Sequence, residues 1–292
     1  MKNKKTLLIL GANGFVGKNL VESFEKKYKI LKPSRKELDL KDQKAVSKFF
    51  KNNKIDVVIN APVIGGSRTE EHEDSALRNN LRIFFNLLSN KKYYKKMIHL
   101  GSGGEYDKRR SMAKIKEEQI DEQIPVDDYG LFKYTCSKVI ENTENIVSLR
   151  IFGLFGKYED YRYRFISNAI CRNILEMPIT VNQDVYFDYV YIDDFVKIVD
   201  YFINNKVKYK FYNIGTGKRI NLLTIAKKIN EVADKKSKIV VKKNGLNNEY
   251  TCDNSRLLSE TRGLDFESLD ASIRKLCQWY KENKSLVNKS KL

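Results

Sequence analysis

Tyr129 and Lys133 stand four residues apart in PVDDYGLFKYTCSK (125–138), a spacing that puts a phenol and an ammonium on one helix face. A phenol has an ordinary pKa near ~10 and moves protons at neutral pH only with a cation beside it. The same spacing recurs at Tyr134/Lys138, Tyr28/Lys32 and Tyr280/Lys284, as chance allows in a chain with 17 tyrosines and abundant lysine, so context must select. Tyr129 and Tyr134 are five residues apart, about 140° around a helix of about 3.6 residues per turn, and cannot share a face. Tyr129 falls in the first helical turn, after Pro125 and the cap residues Asp127 and Asp128, whereas Tyr134 lies further in and is expected to pack. Upstream, Ser102 closes the strand of HLGSGGEYD, where a hydroxyl can point into the same cleft. Ser102, Tyr129 and Lys133 are the candidate catalytic residues.

A second constellation lies at the start of the chain. TLLIL runs into GANGFVG, with Gly11, Gly14 and Gly17 between a strand and a helix. Glycines there permit a tight turn and close approach to a pyrophosphate, whose charge sits at the helix N-terminus. The second strand ends in KPSRK, offering Ser34 and Arg35 with no carboxylate before Glu37. A guanidinium suits a 2′-phosphate and an acid would repel it, so NADPH is expected rather than NADH.

These residues need a scaffold, and the apolar pattern supplies one. TLLILG, YKILKP, IDVVINA, KKMIHLGS and NIVSLRIFG alternate with amphipathic stretches such as VGKNLVESFEKK and SALRNNLRIFFNLLSN. Such alternation predicts an α/β fold with a doubly wound parallel sheet. The pattern breaks after Gly156, so residues 1–156 are expected to bind the dinucleotide, with a segment returning over about 186–216. Residues 157–292 are expected to form a smaller α/β substrate domain.

The glycine turn, the strand ending at Ser102 with Tyr106 four residues on, and YGLFK together resemble the extended short-chain dehydrogenase/reductase family (NAD-dependent epimerases and dehydratases), and within it the GDP-L-fucose synthase branch. SRKELDL, INAPVIGG, LRIFGLFG, YIDDF, NIGTG and SIRKLCQWYKEN carry the likeness across nearly the whole chain. The resemblance implies a Rossmann domain holding the coenzyme through Gly11, Asn13, Gly14, Phe15, Val16, Gly17, Ser34, Arg35, Asp39 and Leu40. It adds Asn60, Ala61, Pro62, Tyr129, Lys133, Ile151, Phe152 and Leu154. It implies hydride delivery to C4 of a nucleotide-linked 4-keto sugar, with Tyr129 donating the proton and Ser102 holding the oxygen. Gly103, Gly104, Arg164, Asn168, Arg172 and Asp188 become candidate substrate contacts.

The fucose synthases also epimerise C3 and C5 with a cysteine and a histidine. Gly104 and Arg164 stand at those positions here, which predicts reduction without epimerisation; Phe187 replaces an arginine that binds substrate. A GDP-linked deoxyhexose or deoxyheptose from surface polysaccharide synthesis is the favoured substrate. A 4-epimerase with tightly held NAD and a non-catalytic NADP sensor are the alternatives. The resemblance also implies a homodimer through the helices of LRIFFNLL and YTCSKVIE.

Composition bounds the rest. The chain has 292 residues and a net charge of +18, but its lysines are dispersed rather than striped with aromatics, which argues against a nucleic-acid partner. MKNKKTLLIL is too short an apolar run for a signal peptide or membrane span, and a cytoplasmic enzyme is expected. Cys136, Cys171, Cys252 and Cys277 are scattered, and His72 and His99 have no cysteine near them, so no metal site is expected. Asp193 and Asp194 are expected at a helix start, and Trp279 and Tyr280 in packing.

Overall fold

A computed structural model describes residues 4–65 and 75–292; His72 lies outside them. In chain order the elements are β1 (Thr6–Leu10), α1 (Phe15–Phe24), β2 (Lys29–Leu31), α2 (Gln43–Asn52), β3 (Ile55–Asn60), α3 (Ala76–Leu88), β4 (Tyr94–Ser102), β5 (Met112–Ile115), α4 (Asp128–Glu141), β6 (Ile146–Ile151) and β7 (Gly153–Phe155). There follow α5 (Phe165–Ile174), β8 (Ile179–Asp184), β9 (Tyr186–Tyr191), α6 (Ile192–Asn204), β10 (Phe211–Ile214), β11 (Arg219–Asn221), α7 (Leu222–Val232), β12 (Ile239–Leu246), β13 (Tyr250–Cys252), α8 (Ser255–Thr261) and α9 (Leu269–Glu282).

Two compact units share the chain. Of the described residues, those within 1–107, 117–151 and 198–212 form the first, and those within 108–116, 152–197 and 213–292 the second. The division departs from the expected boundary at 156 and from a return over 186–216. β7 and β9 pair with each other and stay in the second unit, and only the later part of α6 and the start of β10 return.

The first unit is built on a sheet of order β10-β6-β4-β3-β1-β2, in which β2-β1, β1-β3, β3-β4 and β4-β6 pair in parallel. Its strands are apolar on both faces because both are covered. Leu8, Leu10, Val58 and Met97 pack with Val46 and Phe50 of α2, Phe84 and Leu87 of α3, and Phe132, Cys136 and Ile140 of α4. The alternate residues Leu7, Ile9, Val57 and Ile59 are equally buried and point to the opposite face. Each large apolar side chain so buried contributes about 1.5–3 kcal/mol. Parallel pairing also brings the carboxyl ends of β1, β3, β4 and β6 to one edge, with Leu10 opposite Asn60, Asn60 opposite His99, and Ser102 opposite Ile151.

The second unit has a mixed sheet of order β11-β9-β13-β5, with β7 also on β9 and β11 antiparallel to β9, and a separate β12-β8 pair. Its helices α5, α7 and α9 pack on one another. Asp193 and Asp194 both lie in the first turn of α6. Asp194 Oδ2 accepts from the Glu267 amide at 2.9 Å and its Oδ1 pairs with Lys197 at 2.8 Å, which gives it a structural role. Trp279 and Tyr280 pack in α9, the indole edge-on to Tyr158 at 5.3 Å.

Candidate active site

The turn between β1 and α1 uses its glycines in different ways. Gly11 has φ +74°, and a Cβ on it would lie 3.0 Å from the Pro62 nitrogen and 3.3 Å from the Ala61 carbonyl carbon. At Gly17 a Cβ would come within 2.6 Å of Ala12 Cα and nearer still to the Gly11 carbonyl oxygen, so α1 can lie on the turn only with glycine there. Gly14 is less confined: its Cβ would meet only Gly11 O, at 3.4 Å. It is the N-cap of α1, which has neither a capping side chain nor a carboxylate in its first turn. A helix start of that kind suits a phosphate, and the residues present fit a dinucleotide. Asn13 is exposed beside it, and Phe15 and Val16 are half-buried in the first turn.

Asn60 turns inward. Its Nδ2 lies 3.0 Å from His99 Nδ1, joining the ends of β3 and β4. Burial, together with the Lys133 charge, holds the His99 imidazole well below its ordinary pKa, so the ring is neutral and accepts at Nδ1. Beyond β2, Ser34 and Arg35 form a turn in which the Glu37 carboxylate accepts from the Ser34 amide at 2.7 Å while Arg35 is exposed. Asp39 accepts from the Lys41 amide at 3.0 Å, and Asn86 of α3 donates to Leu40 O at 2.8 Å.

Ser102, Tyr129 and Lys133 all lie in the first unit. Ser102 ends β4 and opens a single turn, Gly103–Tyr106; its Oγ accepts from the Gly104 amide at 3.0 Å. That leaves the hydroxyl proton to donate elsewhere. Asp127 caps α4 by accepting from the Gly130 amide at 2.9 Å, which fixes the turn holding half-buried Tyr129. Lys133, one turn on, is buried; its Nζ donates to Leu100 O at 2.6 Å and lies 5.9 Å from the Tyr129 ring centre. Gly130 locks the two pieces together. A Cβ there would stand 2.6 Å from Pro125 Cβ and 2.8 Å from Gly104 O, so the start of α4 rests directly on the serine turn. Tyr134 corrects an expectation. Its ring is half-buried rather than packed inside, and its hydroxyl donates to Asp121 at 2.9 Å.

Beneath the serine turn is a buried polar cluster that the Ser102, Tyr129 and Lys133 pattern does not reveal. Glu105, fully buried, accepts from the Ser102 amide at 2.8 Å, from Ser137 Oγ at 2.5 Å and from Arg150 Nε at 2.9 Å. Arg150, also fully buried, donates through Nη1 to Tyr106 Oη at 2.9 Å and Glu117 O at 3.0 Å. Two signals were in the sequence: Ser102-x-x-Glu105 is a capping box, and Arg150 is a charge inside the apolar strand NIVSLRIFG.

Residues 7–215 match the model of the NAD dependent epimerase/dehydratase family. The chain belongs to that family. It is 26% identical over 306 aligned residues to a GDP-L-colitose synthase from Yersinia pseudotuberculosis, covering 96% of this chain and 99% of the relative. A GDP-L-fucose synthetase from Naegleria fowleri superposes with a TM-score of 0.84 at 17% identity, over 99% of this chain and 97% of that one. A GDP-mannoheptose C4 reductase from Campylobacter jejuni, solved with NADP bound, gives 0.81 at 21% identity, over 96% and 99%. At such identities the structural likeness establishes the fold.

The remaining candidates of this epimerase/dehydratase family member lie at the end of β6 or in the second unit. Ile151, the last residue of β6, is half-buried opposite Ser102. The Phe152 ring lies 5.0 Å from that of Tyr250, tilted by 47°, and Leu154 pairs with Val190. Arg164 precedes α5 and is exposed. Asn168 donates to Tyr161 O at 3.0 Å and accepts from Arg172 Nε at 2.9 Å, so those two side chains bind each other. Asp188 is a correction. Its carboxylate is fully buried and accepts from Thr216 N (2.6 Å), Thr216 Oγ1 (2.7 Å) and Gly217 N (2.8 Å). Burial raises its pKa, and its oxygens hold the NIGTG turn instead of meeting a sugar. Phe187, on the other face of β9, lies 5.4 Å from the Tyr189 ring and 5.5 Å from Tyr250.

Proposed function

We propose that the protein reduces the C4 ketone of a nucleoside-diphosphate 4-keto-deoxy sugar with NADPH, GDP-linked hexose or heptose being favoured, without epimerising C3 or C5. The observation that carries this reading is the join between α4 and the serine turn: Gly130 against Gly104, with Lys133 anchored on Leu100 O beside Tyr129. The coenzyme supplies hydride when bound. The chain's own groups handle the oxygen: Ser102 donates a hydrogen bond to the carbonyl, and Tyr129 gives it a proton as the alkoxide forms. The Lys133 ammonium offsets the charge left on the phenol. Each such contribution is typically worth about 10²–10⁴ in rate.

Exposed Arg35 after β2 supports NADPH over NADH by its match to a 2′-phosphate. Absence of epimerisation rests on Gly104, which has no side chain, and Arg164, whose guanidinium carries donors and no acceptor where the fucose synthases have a histidine. The choice of a GDP-sugar rests on the activities named for the colitose synthase and the heptose reductase. A homodimer through α3 and α4 is part of the proposal, supported by Phe85, which is 43% exposed on α3. No helix among the described residues is long and apolar enough to cross a membrane; cytoplasmic residence and a place in surface polysaccharide synthesis complete the reading.

The test is NADPH oxidation against GDP-, dTDP-, CDP- and UDP-linked 4-keto-deoxy sugars, with NMR of the product formed in deuterated water. The proposal predicts a C4 alcohol with no solvent deuterium at C3 or C5. Deuterium at either carbon overturns the reduction-only statement. NAD retained through purification, with no net NADPH consumption, would favour the 4-epimerase.

A further inference from the structure

We propose that Glu105 is a positioning residue whose buried carboxylate ties the backbone of Ser102 to the helix carrying Tyr129 and Lys133. The inference rests on the reductase reading for its effect on turnover, but the geometry behind it is independent of any substrate. Oε1 accepts from the Ser102 amide at 2.8 Å. Oε2 accepts from Ser137 Oγ at 2.5 Å and from Arg150 Nε at 2.9 Å. Ser137 lies on α4 four residues after Lys133 and eight after Tyr129, so all three share one stripe of the helix. One carboxylate therefore meets the end of β4, the catalytic face of α4 and β6.

The surroundings are shaped to admit that group. A Cβ on Gly101 would stand 2.6 Å from Glu105 Oε1 and 2.6 Å from Ser148 Oγ, so the carboxylate occupies space that only glycine leaves. The Arg150 guanidinium balances its charge and lies 4.4 Å over the Phe211 ring and 5.2 Å over Tyr106. A fully buried ion pair stabilises a fold no better than apolar residues of the same shape. Its value here is geometric: the carboxylate's two oxygens fix how far the serine backbone stands from the helix, and misplacement of reacting groups by ~1 Å can cost about 10²-fold in rate.

Ser137→Ala tests this, because it leaves the Glu105–Arg150 pair intact and removes what ties that pair to α4, the bond Ser137 Oγ donates to Glu105 and the longer one, 3.5 Å, that it accepts from Arg150 Nη2. The expected result is a fall in kcat of about tenfold or more, with KM values and the affinity for NADPH within about twofold of wild type, and recovery in Ser137→Thr. The readout that needs no substrate is hydrogen exchange at the Ser102 amide, which is expected to quicken in Ser137→Ala and in Glu105→Gln. Faster exchange supports the role of Glu105 even if the wild type reduces no nucleotide-linked ketone. Unchanged exchange in the folded Ser137→Ala protein overturns it.

Discussion

Gly130→Ala isolates the join between the two halves of the candidate site. In a solvent-facing helix the change would stabilise by about 1 kcal/mol, because alanine restricts the unfolded chain more than glycine does. Gly130 is buried, and the new methyl would stand 2.6 Å from Pro125 Cβ, 2.8 Å from Gly104 O and 3.0 Å from Asp127 Oδ2. Carbon atoms settle at about 3.5–4.0 Å from non-bonded neighbours, so α4 and the serine turn must separate by roughly 1 Å. Overpacking of that size typically costs about 1–3 kcal/mol, which turns the helix-propensity gain into a net loss. The same movement draws Tyr129 away from Ser102 and is expected to lower kcat by about 10–100-fold. NADPH affinity should stay within about threefold, since the glycine turn after β1 is untouched. Thermal unfolding, coenzyme titration and steady-state NADPH oxidation give the three numbers. A variant more stable than wild type with unaltered kcat would refute the close docking of α4 on the serine turn.

Other substitutions probe other parts of the account. Arg35→Glu should raise KM for NADPH at least tenfold and improve the relative use of NADH, read from kcat/KM with each coenzyme. Asp188→Asn should lower the unfolding temperature by several degrees, because an amide cannot accept from all three donors of the NIGTG turn; kcat of the folded fraction should change less than threefold. Glu159 gives a pH signature. Burial lifts its carboxyl from about 4.5 to about 8, with Ser167 donating to it at 2.7 Å. The folded state thus favours the protonated form, so this contribution is fully present below about pH 4.5 and is lost as pH rises through about 8, a few kcal/mol at most. Denaturant unfolding of Glu159→Gln at pH 5, 6.5 and 8 should show that slope flattened; an unchanged slope would contradict it.

The sequence exposed what is periodic and local. TLLIL, IDVVIN and the stretch before Ser102 are apolar runs of strand length, and β1, β3 and β4 lie there because both faces of the sheet are covered. Tyr129 was separable from Tyr134 by helical angle and by the Asp127 cap, and α4 begins at Asp128 with Asp127 as its N-cap. What depends on contacts distant in sequence was less readable. Asp188 read as a sugar contact because its place in FDYVYIDD says nothing of Thr216, 28 residues on, whose amide and hydroxyl it accepts from. Tyr134 read as a packing residue because nothing nearby announces Asp121, 13 residues upstream, as its partner. The pairing of Glu105 with Arg150 was hidden for the same reason: a capping-box glutamate and a charge inside an apolar strand are each visible locally, but nothing in the sequence joins two residues 45 positions apart.

In the proposed reaction the phenol of Tyr129, and not the neighbouring one five residues on, delivers the proton. Single-turnover reduction at saturating NADPH and ketone, compared among wild type, Tyr129→Phe and Tyr134→Phe, tests it most directly. A loss of at least about 10³-fold is expected for Tyr129→Phe and of less than about twofold for Tyr134→Phe. Equal effects of the two changes, or a Tyr129→Phe protein that turns over at the wild-type rate, would contradict it.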